Sequence, residues 1–237
     1  MSSAPGIVVV AMEEEAEPFL QRASRVSDEV EVGGAVQRTL TVDDVELLLV
    51  RSGIGLVNAA GAATAAIVLA ERSGAPAPVV LSAGTAGGTG PRIEVGDVVV
   101  GAEYVNLDAD ARVFGYAYGQ VPRMPASYLG DDRLLRSSLA FSPEGGGWRT
   151  HAGLIASSYS FMTPEKVERG MGFFPAIVAT DMESIALAQT CHVHGVPFLS
   201  VRGISDLAGP DGANDHDSNA LLASEHSADV TLHLLRA

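Results

Sequence analysis

Three short runs of apolar residues constrain the fold more than any other feature of this sequence. They are Ile7–Ala11, Pro78–Ser82 and Val196–Ser200. A strand that is apolar on both faces is typical of a parallel sheet covered by helices on both sides. Helical periodicity follows the first run over Glu13–Arg25 and precedes the second over Val57–Arg72. The sequence therefore predicts an α/β fold, a three-layer α/β/α sandwich around a mixed, mostly parallel central sheet.

The rest of the chain adds an early antiparallel meander and several shorter elements. The glycine-rich segment Ala83–Gly90 is predicted to be a loop. Because no Ser/Pro-rich linker divides the chain, residues 1–237 are expected to form one domain. The further predicted strands are 30–32, 37–43, 45–50, 98–107, 150–158 and 177–179, and the further predicted helices are 132–139, 164–169, 182–194 and 218–235.

Charge and cysteine content exclude several classes of function. Fifteen Lys and Arg residues against 29 Asp and Glu residues give a net charge of −14, which disfavours binding to nucleic acid or to an anionic membrane. Cys191 is the single cysteine, so an intrachain disulfide and a thiolate metal cluster are excluded. The first apolar run ends at Met12, too short for a secretory signal or a membrane span, which favours a cytoplasmic location.

Polar or glycine-rich residues follow four of the predicted strands. They are Met12–Glu15, Gly84–Gly88, Asp181–Glu183 and Arg202–Asp206. Ligands of α/β sheets bind beyond the carboxyl ends of the strands. These segments therefore predict one site that contains several carboxylates, a guanidinium and a wall of small residues.

Each segment also has an ordinary structural explanation when it is considered alone. Three acids suit the start of a helix, and the glycine-rich segment has neither the Lys of a P-loop nor the spacing of a dinucleotide fingerprint. Arg202 and Asp206 could be a simple ion pair at the end of a strand, with no role in a site. His216, between two aspartates, is interpreted as part of a solvated loop rather than as a metal ligand. No metal or cofactor is expected.

Considered together, the motifs resemble those of the bacterial 5'-methylthioadenosine/S-adenosylhomocysteine nucleosidases of the nucleoside phosphorylase superfamily. The resemblance extends from Gly6 to the last helix, with the motifs in the same order and at nearly the same spacing. The residues that carry it are Ala11–Glu15, Ser52–Gly55 (with Ile54), Gly84–Gly88, Asp108–Asp110, Phe114–Pro122, Asp181–Glu183 and Arg202–Asp206.

The resemblance implies a catalytic set for hydrolysis of an N-glycosidic bond. Asp206 matches the acid that protonates purine N7, and Ser205 would orient it. Glu15 matches the carboxylate that activates water beneath the sugar, with Arg202 and Thr85 near that water. Hydrolysis through a ribosyl cation has a use for both groups: an acid at N7 aids departure of the purine, and a carboxylate beneath the sugar positions the water that attacks C1'.

The resemblance also implies how the nucleoside is bound. Glu183 would hold the ribose hydroxyls, with the backbone of Met182 beside it and Met12 close to the ribose. Phe161 would stack on adenine, and the backbone of Met162 would contact the base edge. An isolated Phe–Met pair is by itself more typical of core packing.

In that family the segment 111–122 reaches across a twofold interface. Phe114, Tyr116 and Pro122 would then line the 5'-substituent pocket of the partner subunit. The expected partners are therefore a small-molecule nucleoside and a second copy of the chain, in a homodimer with shared active sites.

The sequence also departs from the family pattern at three places. Ser158–Ser160 stands where the family has Gly-Asp, and Leu107 stands where a His is common. The polar segment Gly209–Asp217, interpreted as flexible, replaces an aromatic residue that closes the 5' pocket. The identity of the 5' substituent is therefore open.

Three other functions are weighed against this one. They are a purine nucleoside phosphorylase, a hydrolase of another 5'-modified adenosine such as aminodeoxyfutalosine or 5'-deoxyadenosine, and a nucleoside-binding module without catalysis. The acids at 13–15 would repel phosphate, and binding alone would not require both an acid and a base.

Overall fold

Strands and helices alternate through most of the chain, as its apolar runs predict. The computed structural model describes residues 6–74, 76–143 and 145–236. In these ranges the strands are β1 (Gly6–Val10), β2 (Arg25–Val26), β3 (Val30–Val32), β4 (Ala35–Val42), β5 (Val45–Arg51), β6 (Val79–Gly88), β7 (Val98–Asn106), β8 (Tyr128–Leu129), β9 (Thr150–Ser157), β10 (Ile177–Asp181) and β11 (Phe198–Asp206). The helices are α1 (Glu13–Arg22), α2 (Leu56–Arg72), α3 (Asp132–Leu139), α4 (Pro164–Phe173), α5 (Ser184–His194) and α6 (Gly212–Arg236), with a 3-10 turn at Arg112–Phe114.

The burial of β1 explains why helices cover both faces of the sheet. Ile7 and Val9 pack into one apolar cluster with residues of α2 and α5, whereas Val8 and Val10 pack into another with residues of α1 and α6. Successive side chains of a strand point to opposite faces, so a strand with no polar side needs a helical layer on each side. The predicted three-layer α/β/α sandwich is confirmed.

The central sheet is mixed and partly closed on itself. Its strand order is β10-β9-β7-β11-β6-β1-β5-β4-β2, and β5, β1, β6 and β11 are parallel neighbours. The last residues of β6 also pair antiparallel with β10. Strands β6, β11, β7, β9 and β10 therefore form a ring, which the apolar runs did not predict.

The glycine-rich segment predicted to be a loop is instead the second half of β6. Residues 83–87 pair with β11, and Gly87 and Gly88 also pair with β10, so both neighbours hold this segment extended. Glycine is required at position 84 because an added Cβ would lie only 2.4 Å from Oε1 of Glu15. The prediction was wrong because these glycines allow a close approach of side chains rather than a turn.

Three other predicted boundaries were wrong, two of them near the same end of the sheet. Strand β11 does not end at Ser200 but continues to Asp206, because it is buried throughout and lies between β6 and β7. Helix α6 begins at Gly212, so the polar segment predicted to be flexible forms its first turns, which pack against the end of β11. Helix α1 ends at Arg22, and Arg25–Val26 pairs with β4.

Within the described ranges, none of the helices has both the length and the apolar composition that a bilayer span requires.

Candidate active site

A cleft opens at the carboxyl ends of β1, β6, β10 and β11, the edge of the sheet where the sequence predicts a site. The structure brings nine of the predicted residues together in its lining, namely Met12, Glu15, Ile54, Thr85, Phe161, Met162, Met182, Glu183 and Asp206.

Glu15 is a buried carboxylate surrounded by hydrogen-bond donors. Its Oε2 accepts from the backbone N–H groups of Ala11 (2.7 Å) and Met12 (3.1 Å). Its Oε1 accepts from the N–H (2.8 Å) and the hydroxyl (3.1 Å) of Thr85. Met12 is the N-cap of α1, and a negative charge is favoured at the start of a helix. Two donors on each oxygen therefore fix the carboxylate of Glu15 in the cleft wall.

Asp206 lies at the end of β11 with only 2% of its surface exposed. Oδ2 accepts a hydrogen bond from the hydroxyl of Ser205 (3.0 Å), and Oδ1 accepts one from the N–H of Ala208 (2.8 Å). Ser205 itself is fully buried behind the cleft and does not line it. The structure thus places Ser205 where it orients the carboxyl group of Asp206.

Glu183 lines the same cleft, at the N-cap of α5. Its Oε1 accepts a hydrogen bond of 2.9 Å from the N–H of Gly55 at the start of α2. Burial raises the pKa of Glu183 to about 7; the charge of Arg202 opposes this increase, whereas the nearby charges of Asp181 and Glu15 add to it. Glu183 therefore changes protonation near neutral pH.

Arg202 is buried beneath the cleft and does not line it. Its Nε lies 2.9 Å from Oδ2 of Asp181, and its Nη1 lies 3.5 Å from Oε2 of Glu183. It also donates to the hydroxyl of Ser82 (2.7 Å) and to the carbonyl of Thr85 (3.4 Å). In this arrangement Arg202 fixes carboxylates and the strand that carries Thr85.

The purine side of the predicted site contains an aromatic ring and a sulfur side chain. Phe161 is 44% exposed at the cleft, whereas Met162 is buried in an apolar cluster with Leu107. Asp108 anchors the preceding segment, since its Oδ1 accepts from the hydroxyl of Ser158 and its Oδ2 from the N–H of Tyr159. The unusual Ser158–Ser160 segment is therefore held in place by a residue of a predicted motif.

Phe114, Tyr116 and Pro122 do not line this cleft. Phe114 is 78% exposed, Pro122 is exposed, and Tyr116 is half-buried. Their exposed surfaces are available to contact another molecule.

Two titratable lining residues, Asp181 and His216, were given no individual role in the predicted site. Asp181 accepts from Arg202 and from the hydroxyls of Ser157 and Ser184; its position at the end of a predicted strand, next to Glu183, was the available signal. His216 was interpreted as part of a solvated loop, which was wrong. It lies half-buried on α6, with its ring 6.2 Å from the ring of Phe161 in an edge-on arrangement.

No cluster of three or more His, Cys, Asp or Glu side chains within 6–74, 76–143 and 145–236 has the arrangement of a metal site. The chemistry that these described residues offer is proton transfer. A carboxylate with four donors and a second buried carboxyl group face one cleft, which is an arrangement suited to acid–base catalysis.

Comparison with known proteins identifies the family of the chain. Residues 6–236 match the family model of the phosphorylase superfamily. A 5'-methylthioadenosine/S-adenosylhomocysteine nucleosidase from Geobacillus thermodenitrificans is 38% identical over 96% of this chain and 94% of its own.

Solved structures give the same result. The nucleosidase from Colwellia psychrerythraea in complex with adenine superposes with a TM-score of 0.91 at 30% identity, covering 99% of this chain and 96% of that one. The enzyme from Neisseria meningitidis in complex with methylthio-immucillin-A gives a TM-score of 0.87 at 33% identity and covers 98% of both chains. The chain therefore belongs to the 5'-methylthioadenosine/S-adenosylhomocysteine nucleosidase family of the phosphorylase superfamily.

Proposed function

We propose that this enzyme, an N-glycosidic hydrolase, acts on adenosines with a thio substituent at C5', such as 5'-methylthioadenosine and S-adenosylhomocysteine. The products are adenine and the 5-substituted ribose. The proposal rests on the observation that Glu15 and Asp206 line the same cleft. Backbone N–H groups hold Glu15, and the hydroxyl of Ser205 holds Asp206.

Asp206 is the acid in this proposal. As the bond between ribose and purine breaks, negative charge accumulates on the base, and a proton given to N7 makes the base a better leaving group. The hydrogen bonds from Ser205 and from the N–H of Ala208 then stabilise the carboxylate that remains.

Glu15 is the carboxylate that activates water. An ionised carboxylate can take a proton from water as the water attacks C1' of the ribosyl cation. Thr85 fixes Oε1 of Glu15 through two hydrogen bonds. Arg202, buried below, holds the carbonyl of Thr85 and the side chain of Asp181, so it supports the water site from beneath.

Glu183 is proposed to hold the ribose hydroxyls. Its side chain lines the same cleft as Asp206, together with Met182, its neighbour in the chain, and Met12, which follows β1. A negative charge near the sugar also favours the cation that develops on it in the transition state. Phe161 would stack on adenine, and the backbone of Met162 would bind the base edge.

The proposed assembly is a homodimer with shared sites. Phe114 and Pro122 are exposed and do not line the chain's own cleft, as expected of residues that complete a partner's 5' pocket. A groove on α2, lined by Val57, Ala60, Ala65 and Leu69 among others, adds a second apolar surface. The cytoplasmic location and the single domain are also proposed, the latter because one sheet connects strands from β1 to β11.

The cleft favours water over phosphate as the nucleophile. None of the described residues that line it is Lys or Arg, whereas Glu15, Asp181, Glu183 and Asp206 are acidic. A phosphate dianion would be repelled from such a site.

Adenine release from 5'-methylthioadenosine in phosphate-free buffer tests this proposal. We expect turnover without phosphate, and we expect Asp206→Asn and Glu15→Gln each to lower kcat by about a hundredfold or more. A requirement for phosphate would identify a phosphorylase. Binding without turnover would identify a non-catalytic module.

A panel of 5'-modified adenosines assayed side by side, including S-adenosylhomocysteine, 5'-deoxyadenosine and aminodeoxyfutalosine, tests the substrate class. A kcat/KM highest for a substrate without a thioether would contradict the 5'-thio preference and leave the hydrolase assignment unchanged.

A further inference from the structure

The first turns of α6 dock onto the end of β11 through one side of the helix. Gly212, His216 and Asn219 are spaced four and three residues apart, so they share a face. An added Cβ at Gly212 would lie 3.3 Å from Oδ1 of Asp206. The side-chain N–H of Asn219 donates to the carbonyl of Ser205 at 3.1 Å. His216 lies between these two contacts, with its Nδ1 3.0 Å from the hydroxyl oxygen of Ser205.

The hydroxyl group of Ser205 has more possible partners than it has hydrogens. Its oxygen lies 3.0 Å from Oδ2 of Asp206, 3.0 Å from Nδ1 of His216 and 3.4 Å from the carbonyl oxygen of Ala86. A serine hydroxyl donates one hydrogen bond and accepts up to two. The state of His216 therefore decides which group receives the hydroxyl proton.

His216 can direct that proton towards Asp206. Both the imidazolium and the neutral tautomer with a proton on Nδ1 donate to the oxygen of Ser205. Ser205 then accepts from His216, and its own proton is left for Oδ2 of Asp206, which is closer than the carbonyl of Ala86. The edge-on contact with Phe161 and the half-burial of the ring limit other orientations of His216.

We propose that His216 is a positioning residue for the acid Asp206 and acts through Ser205. The inference rests on the proposed function. In this proposal Oδ2 accepts from Ser205, and Oδ1 carries the transferable proton while its remaining lone pair accepts from the N–H of Ala208. During catalysis the Oδ1–H bond breaks and the N7–H bond of the purine forms, and the electron pair of the broken bond stays on the carboxylate. The hydrogen bond from Ser205 strengthens as this charge develops, so the chain of donors stabilises the transition state more than the ground state.

The test compares His216→Phe, His216→Asn, Ser205→Ala and the double variant His216→Phe/Ser205→Ala, with 5'-methylthioadenosine as substrate. Phe keeps an aromatic ring and removes the donor, whereas the amide of Asn can supply an N–H close to the position of Nδ1. Asp217→Asn is the matched control, because Asp217 is exposed on the same turn and makes no side-chain hydrogen bond within the described residues.

We expect His216→Phe to lower kcat at least tenfold with KM within threefold of the wild type, the scale of one hydrogen bond to a charged group. His216→Asn should restore most of kcat. The double variant should be no slower than Ser205→Ala, because His216 acts only through Ser205. Asp217→Asn should match the wild type.

Three results would overturn the inference. They are a normal kcat in His216→Phe, an effect on KM alone, and equal losses in His216→Phe and His216→Asn. Asp206→Asn separates this failure from failure of the proposed function. If Asp206→Asn is inactive and His216→Phe is normal, only the role of His216 is wrong; if Asp206→Asn keeps full activity, both assignments are wrong.

Discussion

At the scale of single residues, the cleft gathers more acid groups than its one guanidinium can neutralise. Glu15, Asp181, Glu183 and Asp206 line the cleft, and Arg202 lies beneath it. The four carboxyl groups differ in their hydrogen-bond partners. Glu15, Asp181 and Asp206 each accept hydrogen bonds from at least two donors, whereas Glu183 accepts one, from a backbone N–H, and lies 3.5 Å from Arg202. Glu183 is therefore the carboxyl group with the fewest hydrogen-bond donors.

The raised pKa of Glu183 gives stability a specific pH dependence. Because its pKa is about 7 in the folded protein and 4.5 ordinarily, the folded state binds more protons than the unfolded chain between these two pH values. The contribution of Glu183 to the free energy of unfolding is therefore highest below about pH 4.5, and it falls as pH rises to about 7. The difference amounts to about 3 kcal/mol. Glu183→Gln should remove this dependence.

Urea unfolding of the wild type and Glu183→Gln at several pH values from 5 to 8 measures the effect. We expect the free energy of unfolding of Glu183→Gln to increase relative to that of the wild type as pH rises. Glu46→Gln serves as the control, since Glu46 is exposed, and its difference from the wild type should not vary in this way. Parallel curves for Glu183→Gln and the wild type would contradict the raised pKa.

Sequence reasoning reached most of this cleft because its residues come directly after apolar strands. It missed His216 because polar composition alone assigned 209–217 to a flexible loop. The helical face formed by Gly212, His216 and Asn219 contains one glycine and two polar residues, so it carries no apolar periodicity. Only the docking of that face onto β11 makes it part of the site.

At the scale of elements, the contact between β11 and α6 positions the proposed acid. An added Cβ at Gly203 would lie 1.9 Å from the carbonyl oxygen of Ala223, so the helix backbone packs directly on the strand. Strand β11 carries Arg202, Ser205 and Asp206, and α6 carries His216. A change in the distance between these two elements would therefore alter both the stability of the protein and the position of the Asp206 carboxyl group.

Gly203→Ala should destabilise the protein by about 3 kcal/mol, because the helix must move away from β11 or the strand must bend. Gly172→Ala is the matched control; this α4 glycine is exposed and has no heavy atom within 4 Å of an added Cβ. It should stabilise the protein by up to about 1 kcal/mol, since alanine is the better helix former. Denaturant unfolding measures both values, and similar values for the two variants would contradict the close packing.

The boundaries of elements were predictable where apolar periodicity sets them and not where pairing sets them. Helix α3 was predicted with the bounds that the structure shows. The second half of β6 was not predicted as a strand, because a glycine-rich sequence has low strand propensity. It is a strand because β11 and β10 pair with its two edges. The paired residues of these two strands are 90 or more positions further along the chain, so the local sequence does not indicate the pairing.

At the scale of the whole molecule, exposed apolar residues and a high negative charge act in opposite directions on self-association. Val113 and Phe114 are 85% and 78% exposed, and burial in a partner would favour a dimer. The net charge of −14 on each chain opposes it by repulsion between the two copies.

The proposed homodimer should therefore become tighter as salt increases. Screening weakens the repulsion between the chains, whereas the apolar contact is unaffected. Sedimentation at low and at physiological ionic strength should show a lower dimer dissociation constant at the higher salt. A chain that stays monomeric at all salt concentrations while fully active would contradict the shared site.

Phe114→Ala should raise KM for 5'-methylthioadenosine severalfold and leave inhibition by adenine unchanged, because only the 5' substituent would contact the partner's Phe114. Leu129→Ala is a suitable control, since Leu129 is 76% exposed and lies outside the segment assigned to the interface. Equal effects of Phe114→Ala on substrate and adenine would argue against a role at the 5' end.

The ring formed by β6, β11, β7, β9 and β10 has a consequence for how the reaction geometry is kept over evolutionary time. In an open sheet an edge strand can slip by one residue at the cost of a single ladder, but in this ring any slip of β10 mismatches it with both β9 and β6. Glu183 lies two residues after the end of β10 and Asp206 is the last residue of β11, so pairing within the ring sets the separation of these two carboxyl groups. We therefore expect substitutions at the rim of the cleft to change its shape without changing that separation.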